Sequence, residues 1–319
     1  MAQRQPAKWL TPKALKEAYS GLSVRDEVLD QIGPAVNAGR SMLIYGQPGN
    51  GKTYLAEALV NVQKTPVYVP FAIESNGQIV RVFDPVYHEP VMSPESSNVV
   101  SCDEPYDGRW ILCRRPFIVT GGELTLSMLD LSYDAHAKVY DAPYHLKANN
   151  GIYLVDDFGR QQATPAEILN RWIIPMERRL DYLTFISGGK ISVPFETFLV
   201  FSTNLPPARL GDEAFLRRIH YKLHLTSPDR NEFIDLAVGY ARSRGLNTDP
   251  SVFSRFLENH YCGTGKPLRR CHPRDVISHA VDVLEFHGRP FELTDSVMSS
   301  AFESCFAASE IDAELVHNA

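Results

Sequence analysis

Residues 46–53 read Gly46-Gln47-Pro48-Gly49-Asn50-Gly51-Lys52-Thr53, an uninterrupted G-x-x-x-x-G-K-T. The apolar run Met42-Leu43-Ile44-Tyr45 comes directly before it, and the helix-like Tyr54-Leu55-Ala56-Glu57-Ala58-Leu59-Val60 directly after. A strand that delivers the chain to a glycine-rich loop opening a helix brings backbone N–H groups and the positive end of the helix dipole to one anion. The segment from Gly46 to Tyr54 therefore reads as a phosphate cradle. Lys52 is expected to contact the β- and γ-phosphates of a triphosphate, and the Thr53 hydroxyl to ligate magnesium.

Working outward, Leu15 to Asn37 has helical apolar spacing at Leu22, Val24, Val28, Leu29 and Ile32, and Gly39 leads into the strand. Val67-Tyr68-Val69 reads as the second strand. The next buried strand is Ile152-Tyr153-Leu154-Val155, which ends in Asp156-Asp157. Lys52 and Asp156 are 104 residues apart (156 − 52), whereas strand, helix and loop lengths usual in a doubly wound sheet account for roughly 50. A β-rich insertion is expected at about 71–118. Asn76-Gly77 there marks a hairpin turn, Met92 to Ser101 is rich in Ser, Pro and Asn, and Trp110-Ile111-Leu112-Cys113 is strand-like. It reads either as a partner-binding decoration or as a structural flap.

Thr164-Pro165-Ala166-Glu167 has the form of a capping box with proline at the first helical position, and the helix should kink at Pro175. Two strands facing each other across Gly188-Gly189 form a hairpin, which feeds the apolar strand Phe198-Leu199-Val200-Phe201-Ser202-Thr203 before Asn204. From Ser227 on only helices are expected, starting at Ser227-Pro228, Asp249-Pro250, His272-Pro273 and Thr294-Asp295. The expected fold is thus an α/β doubly wound, mostly parallel sheet in residues 1–226, carrying the nucleotide site and the insertion, followed by an all-helical lid at 227–319.

The polar residues at strand ends narrow the chemistry. Asp156 is placed to hold magnesium, and Asp157 to polarise an attacking water. Asn204, at the end of a neighbouring strand, can orient that water, because ligands of open α/β sheets gather at the carboxyl ends of the strands. Arg217 and Arg218 offer a cation that a neighbouring subunit could place on the transferred phosphoryl. Arg274, near the start of a lid helix, could reach the γ-phosphate and report its presence.

These features, with the segment Leu216-Arg217-Arg218-Ile219 and the pair Pro273-Arg274, resemble the AAA+ ATPases over about residues 20–305. Ala148-Asn149-Asn150-Gly151 and the hairpin around Gly188-Gly189 resemble the branch with a pre-sensor hairpin, which includes MoxR-type chaperones and NtrC-type activators. The resemblance implies ATP hydrolysis in a ring, usually a homohexamer, with ATP and magnesium between neighbours and Arg218 acting in trans. It also implies a hairpin tip, Phe185 to Lys190, that faces the pore or a partner. Two features depart from the family pattern. Asp157 stands where the family usually has Glu, and neither the Gly-Ala-Phe-Thr-Gly-Ala loop of the activators nor an appended helix-turn-helix is found, which argues against transcription activation.

Composition bounds the partners. The net charge of −6 over 319 residues gives no general basic footprint for nucleic acid or anionic membrane. The expected partners are other copies of the chain and a protein substrate or adaptor, with a nucleic-acid-stimulated motor or transposition helper, or a slow nucleotide-dependent assembly switch, as alternatives. Five cysteines and no apolar span of ~20 residues point to reduced thiols and a cytoplasmic protein without membrane insertion. His260-x-Cys262 and Cys271-His272 could in principle hold zinc, but the spacing fits no common zinc pattern.

Overall fold

The computed structural model describes residues 3, 9–91, 107–211, 213–246 and 248–317, so the polar stretch Met92 to Ser101 lies outside the described residues. The chain divides into two compact units, Met1–Gly46 with Lys52–His224, and Gln47–Gly51 with Leu225–Ala319.

The first unit is built on five strands: β1 (Met42–Tyr45), β6 (Phe117–Thr120), β9 (Ile152–Val155), β12 (Phe198–Thr203) and β13 (Tyr221–His224). They form one sheet in the order β13-β1-β12-β9-β6, and every pairing is parallel. β9 and β12 are buried along their whole length, which explains why both read as continuous apolar runs. The stretch expected as one helix is two, α1 (Pro12–Ala18) and α2 (Asp26–Ala38). α2 buries Val28, Leu29, Ile32, Ala35 and Val36, and ends at Gly39 with φ +57°, a left-handed stop that glycine adopts without strain.

Val67–Val69 is a strand, but not one of the main sheet. It forms β2 (Val67–Pro70) and pairs antiparallel with β5 (Trp110–Cys113), while β6 takes the place beside β9. A four-residue apolar run specifies a strand without specifying its neighbour, so the path of the chain decides. The insertion is also cut differently from the expected 71–118. Its own sheet, β3-β4-β8-β7, combines β3 (Ala72–Ser75) and β4 (Gln78–Arg81) with β7 (Ser132–Asp134) and β8 (Val139–Asp141), which lie beyond β6 in sequence.

After the short α4 (Tyr144–Lys147) and β9 comes α5 (Pro165–Arg178). The capping box is present: Glu167 N–H donates to Thr164 Oγ1 at 3.3 Å and Thr164 N–H to Glu167 Oε2 at 2.8 Å. Pro175 lies within the last turn of this helix and is buried. Trp172 on its inner face meets Tyr153 edge-on at 5.6 Å, next to the Phe158–Phe201 ring pair. The hairpin is β10 (Leu180–Thr184) with β11 (Lys190–Pro194); at its tip Phe185 is buried and Ile186 exposed.

A polar cluster, buried at His145 and Asp181 and open to solvent at Asp130, joins α4, α5 and β10. Asp181 accepts two bonds from Arg171, at 2.8 and 2.9 Å, and shares a 2.8 Å bond with His145 Nε2, while Arg171 also holds Asp130 at 2.9 Å. Burial pushes His145 below its ordinary pKa, although Asp181 pulls it the other way. Burial pulls Asp181 upward, but the bonds from His145 and Arg171 outweigh it and hold that carboxyl well below the usual range.

The second unit contains α7 (Arg230–Ser243), α8 (Pro250–His260), α9 (His272–Phe286) and α10 (Asp295–His317). α7 is capped by Asp229, which accepts from Glu232 N–H at 2.9 Å; the expected Ser227 is not the cap. Phe233, Phe253, Phe256, Val276, Ile277 and Phe302 share the core. Among the described residues no helix is long and apolar enough to cross a membrane.

Candidate functional site

In the first unit, the carboxyl ends of β1, β9 and β12 bring six of the expected residues together. Lys52, at the start of α3 (Lys52–Glu57), is buried, and its Nζ donates to the Gly46 carbonyl at 3.0 Å and to Asn204 Oδ1 at 2.6 Å. Asn204 Nδ2 donates in turn to Asp157 Oδ1 at 3.1 Å. Asp157 N–H donates to Asp156 Oδ1 at 3.0 Å, and Thr53 Oγ1 donates to Asp156 Oδ2 at 2.9 Å. One chain of polar contacts thus runs from the loop lysine through the amide and both aspartates to the loop threonine.

The local backbone explains this convergence. Parallel strands in register end on one edge, so Tyr45 aligns with Thr203, and Phe201 with Val155. Asp157 turns the chain with φ +48°, a left-handed conformation that aspartate tolerates better than most side chains. Gln161 fixes that turn. Its Nε2 donates to the Asp156 carbonyl at 2.8 Å, and its Oε1 accepts from Gly159 N–H at 2.8 Å. Nothing in the pattern of the sequence singles Gln161 out, because its role depends on a turn that forms only once β9 and β12 are paired.

The middle of the loop, Gln47 to Gly51, belongs to the second unit. Gly49 and Gly51 have φ of +78° and +83°. Gly49 is also fixed by space: a Cβ there would lie 2.7 Å from Cys271 Sγ, and the Gly49 carbonyl accepts from Cys271 N–H at 2.9 Å. Cys271 precedes α9, and burial pushes its thiol up to about 11, which leaves it a packing group and not a nucleophile. Asn50 is fully buried, with Nδ2 donating to Ser227 Oγ at 3.3 Å. Arg274, on the first turn of α9, pairs with Asp275 at 2.9 Å. Tyr54 is more than half exposed.

Arg217 and Arg218 are not part of the carboxyl-edge cluster. They precede β13, whose first residue Tyr221 aligns with Met42, the first residue of β1, whereas Gly46 follows the last. At about 3.3 Å per residue the length of β1, roughly 10 Å, separates the two ends. Arg218 donates from Nε to Glu177 Oε1 at 2.8 Å, and its carbonyl accepts from Ser41 Oγ at 3.1 Å.

The donor set fits the groups expected to bind. Thr53 and Asp156 offer two oxygens 2.9 Å apart, the hard ligands that magnesium takes. Glycines with positive φ beside a buried lysine suit a polyphosphate. The zinc alternative gains no support from the geometry: His260 bonds Ser299 and His272 bonds Tyr261.

This sheet order, with a glycine-rich loop between β1 and α3 and helices after β13, defines the P-loop AAA+ α/β fold with a C-terminal helical region. Solved structures share it at low identity. NtrX from Brucella abortus is similar with a TM-score of 0.51 and 12% identity, over 88% of this chain and 55% of NtrX. A structure of the same protein in complex with ADP gives 0.50 and 13%, over 89% and 56%. A RuvB mutant from Thermotoga maritima gives 0.50 and 12%, over 95% of this chain and 73% of that one. The chain spans a little over half the length of NtrX. Residues 229–304 match a family described as "Domain of unknown function (DUF8689)". No curated protein matches the chain.

Proposed function

We propose that the protein is an ATP-hydrolysing AAA+ motor that assembles with copies of itself and remodels or assembles a protein partner. The observation that carries this reading is the contact chain Lys52–Asn204–Asp157–Asp156–Thr53, which links a phosphate-loop lysine to two carboxylates at the ends of adjacent parallel strands. In this reading Lys52 binds the β- and γ-phosphates together with the loop N–H groups of Gly46 to Gly51. Arg274 adds a phosphate contact from the unit that also contains Gln47 to Gly51. Thr53 and Asp156 hold magnesium, which when bound neutralises phosphate charge. Asp157 accepts a proton from the attacking water, and Asn204, which already bonds Asp157, orients that water. Little covalent chemistry is asked of the protein, since positioning and charge neutralisation supply most of the acceleration.

Arg218 supports a shared site. It lies at the amino edge of the sheet, roughly 10 Å of strand from its own loop, and so suits a neighbour's phosphoryl better than its own. A homohexamer of the MoxR-like branch, with Ile186 exposed at the hairpin tip toward a partner, fits this reading. The test is particle mass and turnover, with and without ATP, for wild type, Lys52→Ala, Arg218→Ala and an equal mixture of the two variants. Each variant alone should be inactive, and mixing should restore turnover, because a mixed seam pairs an intact loop with an intact arginine. A mixture as inactive as its parts, or a monomer at every concentration, overturns the shared site.

One observation favours a slower, switch-like protein: Asp157 is a methylene shorter than the usual Glu, and Asn204 bonds its carboxylate. Turnover unchanged in Asp157→Asn would support the switch, and a large loss would support the motor.

A further inference from the structure

At the amino edge of the main sheet, within the first unit, lies a cavity of about 430 Å³. A water molecule's share of liquid is about 30 Å³, so a phosphate group fits with several waters to spare. Arg40, Arg179, Arg217, Arg218 and His220 line it, against one carboxylate, Glu177, which Arg218 already engages. Thr197 lines it as well. Its side chain is 1% exposed, and its Oγ1 finds no hydrogen-bond partner in the protein. A buried hydroxyl without a partner is destabilising, so a donor held in an arginine-lined cavity calls for an acceptor from outside the chain.

Two further features agree. Arg179 follows α5 with φ +56°, and its guanidinium donates to the Gly39 carbonyl, which holds the charged group at the cavity wall beside Arg40. Burial, and after it the charges of Arg40 and Arg179, push His220 below its ordinary pKa; Lys222 on β13 acts in the same direction, and only the contact with the Arg218 backbone opposes. The imidazole thus senses a positive potential in the space.

We propose that this cavity is an oxyanion site, separate from the phosphate loop, which takes a phosphate group between Arg40, Arg179 and the Thr197 hydroxyl. The group could be free phosphate or the terminal phosphate of a nucleotide carried by a second copy; only the second source rests on the shared-site reading above. Arg40 and Arg179 supply charge-assisted donors, and Thr197 turns its hydroxyl to the remaining oxygen.

The test uses pyrophosphate on full-length Lys52→Ala protein, in which the loop is silenced, read by calorimetric titration and by the shift in melting temperature. One binding event is expected. Arg40→Ala, a change at an exposed side chain, should weaken it about tenfold or more, by the loss of one charge-assisted bond. Thr197→Val keeps the shape of the side chain. It should leave the unliganded protein as stable as before or more so, and should reduce the stabilisation by pyrophosphate. If pyrophosphate binds Lys52→Ala as a monomer, the source is free phosphate. If a signal arises only when ATP-loaded wild type is added, and Arg40→Ala abolishes it, the phosphate comes from the second copy. Absence of binding in both arms, or binding that neither Arg40→Ala nor Thr197→Val alters, overturns the oxyanion site. Neither result depends on turnover, so the shared ATPase site can fail or stand independently.

Discussion

The two edges of one parallel sheet carry opposite kinds of polar cluster. At the carboxyl edge, a lysine and two aspartates are strung together through a neutral amide and a hydroxyl, so both charge signs lie within reach of one ligand. At the amino edge, four arginines and a histidine face a single glutamate. The difference follows from chain direction. Loops at the carboxyl edge lead from a strand into a helix N-terminus and favour anions by their backbone, whereas the amino edge has only side chains with which to build a positive field. In the function proposed above, the first edge supplies the lysine, amide and carboxylates for a triphosphate, and the second is better suited to meet a phosphate brought from elsewhere.

The sharpest way to break this contrast is to compare Lys52→Ala with Arg218→Ala. Loss of the lysine should abolish nucleotide binding, followed with a fluorescent nucleotide. Loss of the arginine should leave binding intact and lower turnover by about 10³-fold or more. If Arg218→Ala also abolished binding, the edges would not be functionally distinct.

The polar cluster around Asp181 belongs to neither edge and serves as the control. Asp181→Ala leaves His145 buried without its carboxylate and Arg171 with the carboxylate of Asp130 alone, and should cost about 3 kcal/mol in denaturant unfolding, the low end for a broken buried pair. Gly49→Ala combines a strained φ with the approach to Cys271, and a loss of about 1–3 kcal/mol is expected. The double variant with Cys271→Ala should recover the steric part and not the backbone part.

Acid should act on the control through His145, and on the amino edge through His220, whose pKa is depressed as well. The pKa of His145 is depressed in the folded chain from its ordinary 6.5, so its contribution is whole above that value and is lost as pH falls through the folded value. The free energy of unfolding should therefore fall between pH 7 and 5.5, by at most about 1.4 kcal/mol per pH unit for one group, read as a lower melting temperature, and His145→Gln should flatten that dependence. The smallest effect is expected from Glu177→Gln. Releasing Arg218 from a half-exposed pair worth about 0.2–1 kcal/mol should raise turnover by less than about fivefold, measured at low protein concentration.

Much of the carboxyl edge is legible in the sequence because its information is local. A glycine pattern, a lysine and an acid pair each sit directly at the end of an apolar run, and parallel pairing then places all those ends together. The amino edge is less legible. Arg217 and Arg218 stand out as a pair, but Arg40, Arg179, Glu177 and Thr197 come from three distant segments and carry no pattern that groups them. The insertion shows the same limit. Its strands are visible one by one, yet the choice of β6 over Val67–Val69 for the main sheet depends on which segments meet.

The sequence by itself determined the phosphate loop, the strands that frame it and the helical character of the described residues from Ser227 on, since periodicity, glycine placement and capping act over a few residues. Only the tertiary structure decided that Lys52 meets Asn204, that Gln161 braces the aspartate turn, that Gly49 is closed in by Cys271 and that four arginines line one cavity with a buried hydroxyl. Apart from Gln161, which lies beside the turn it braces, these residues meet from tens to hundreds of positions apart, and their energies exist only after the sheet has fixed the distances.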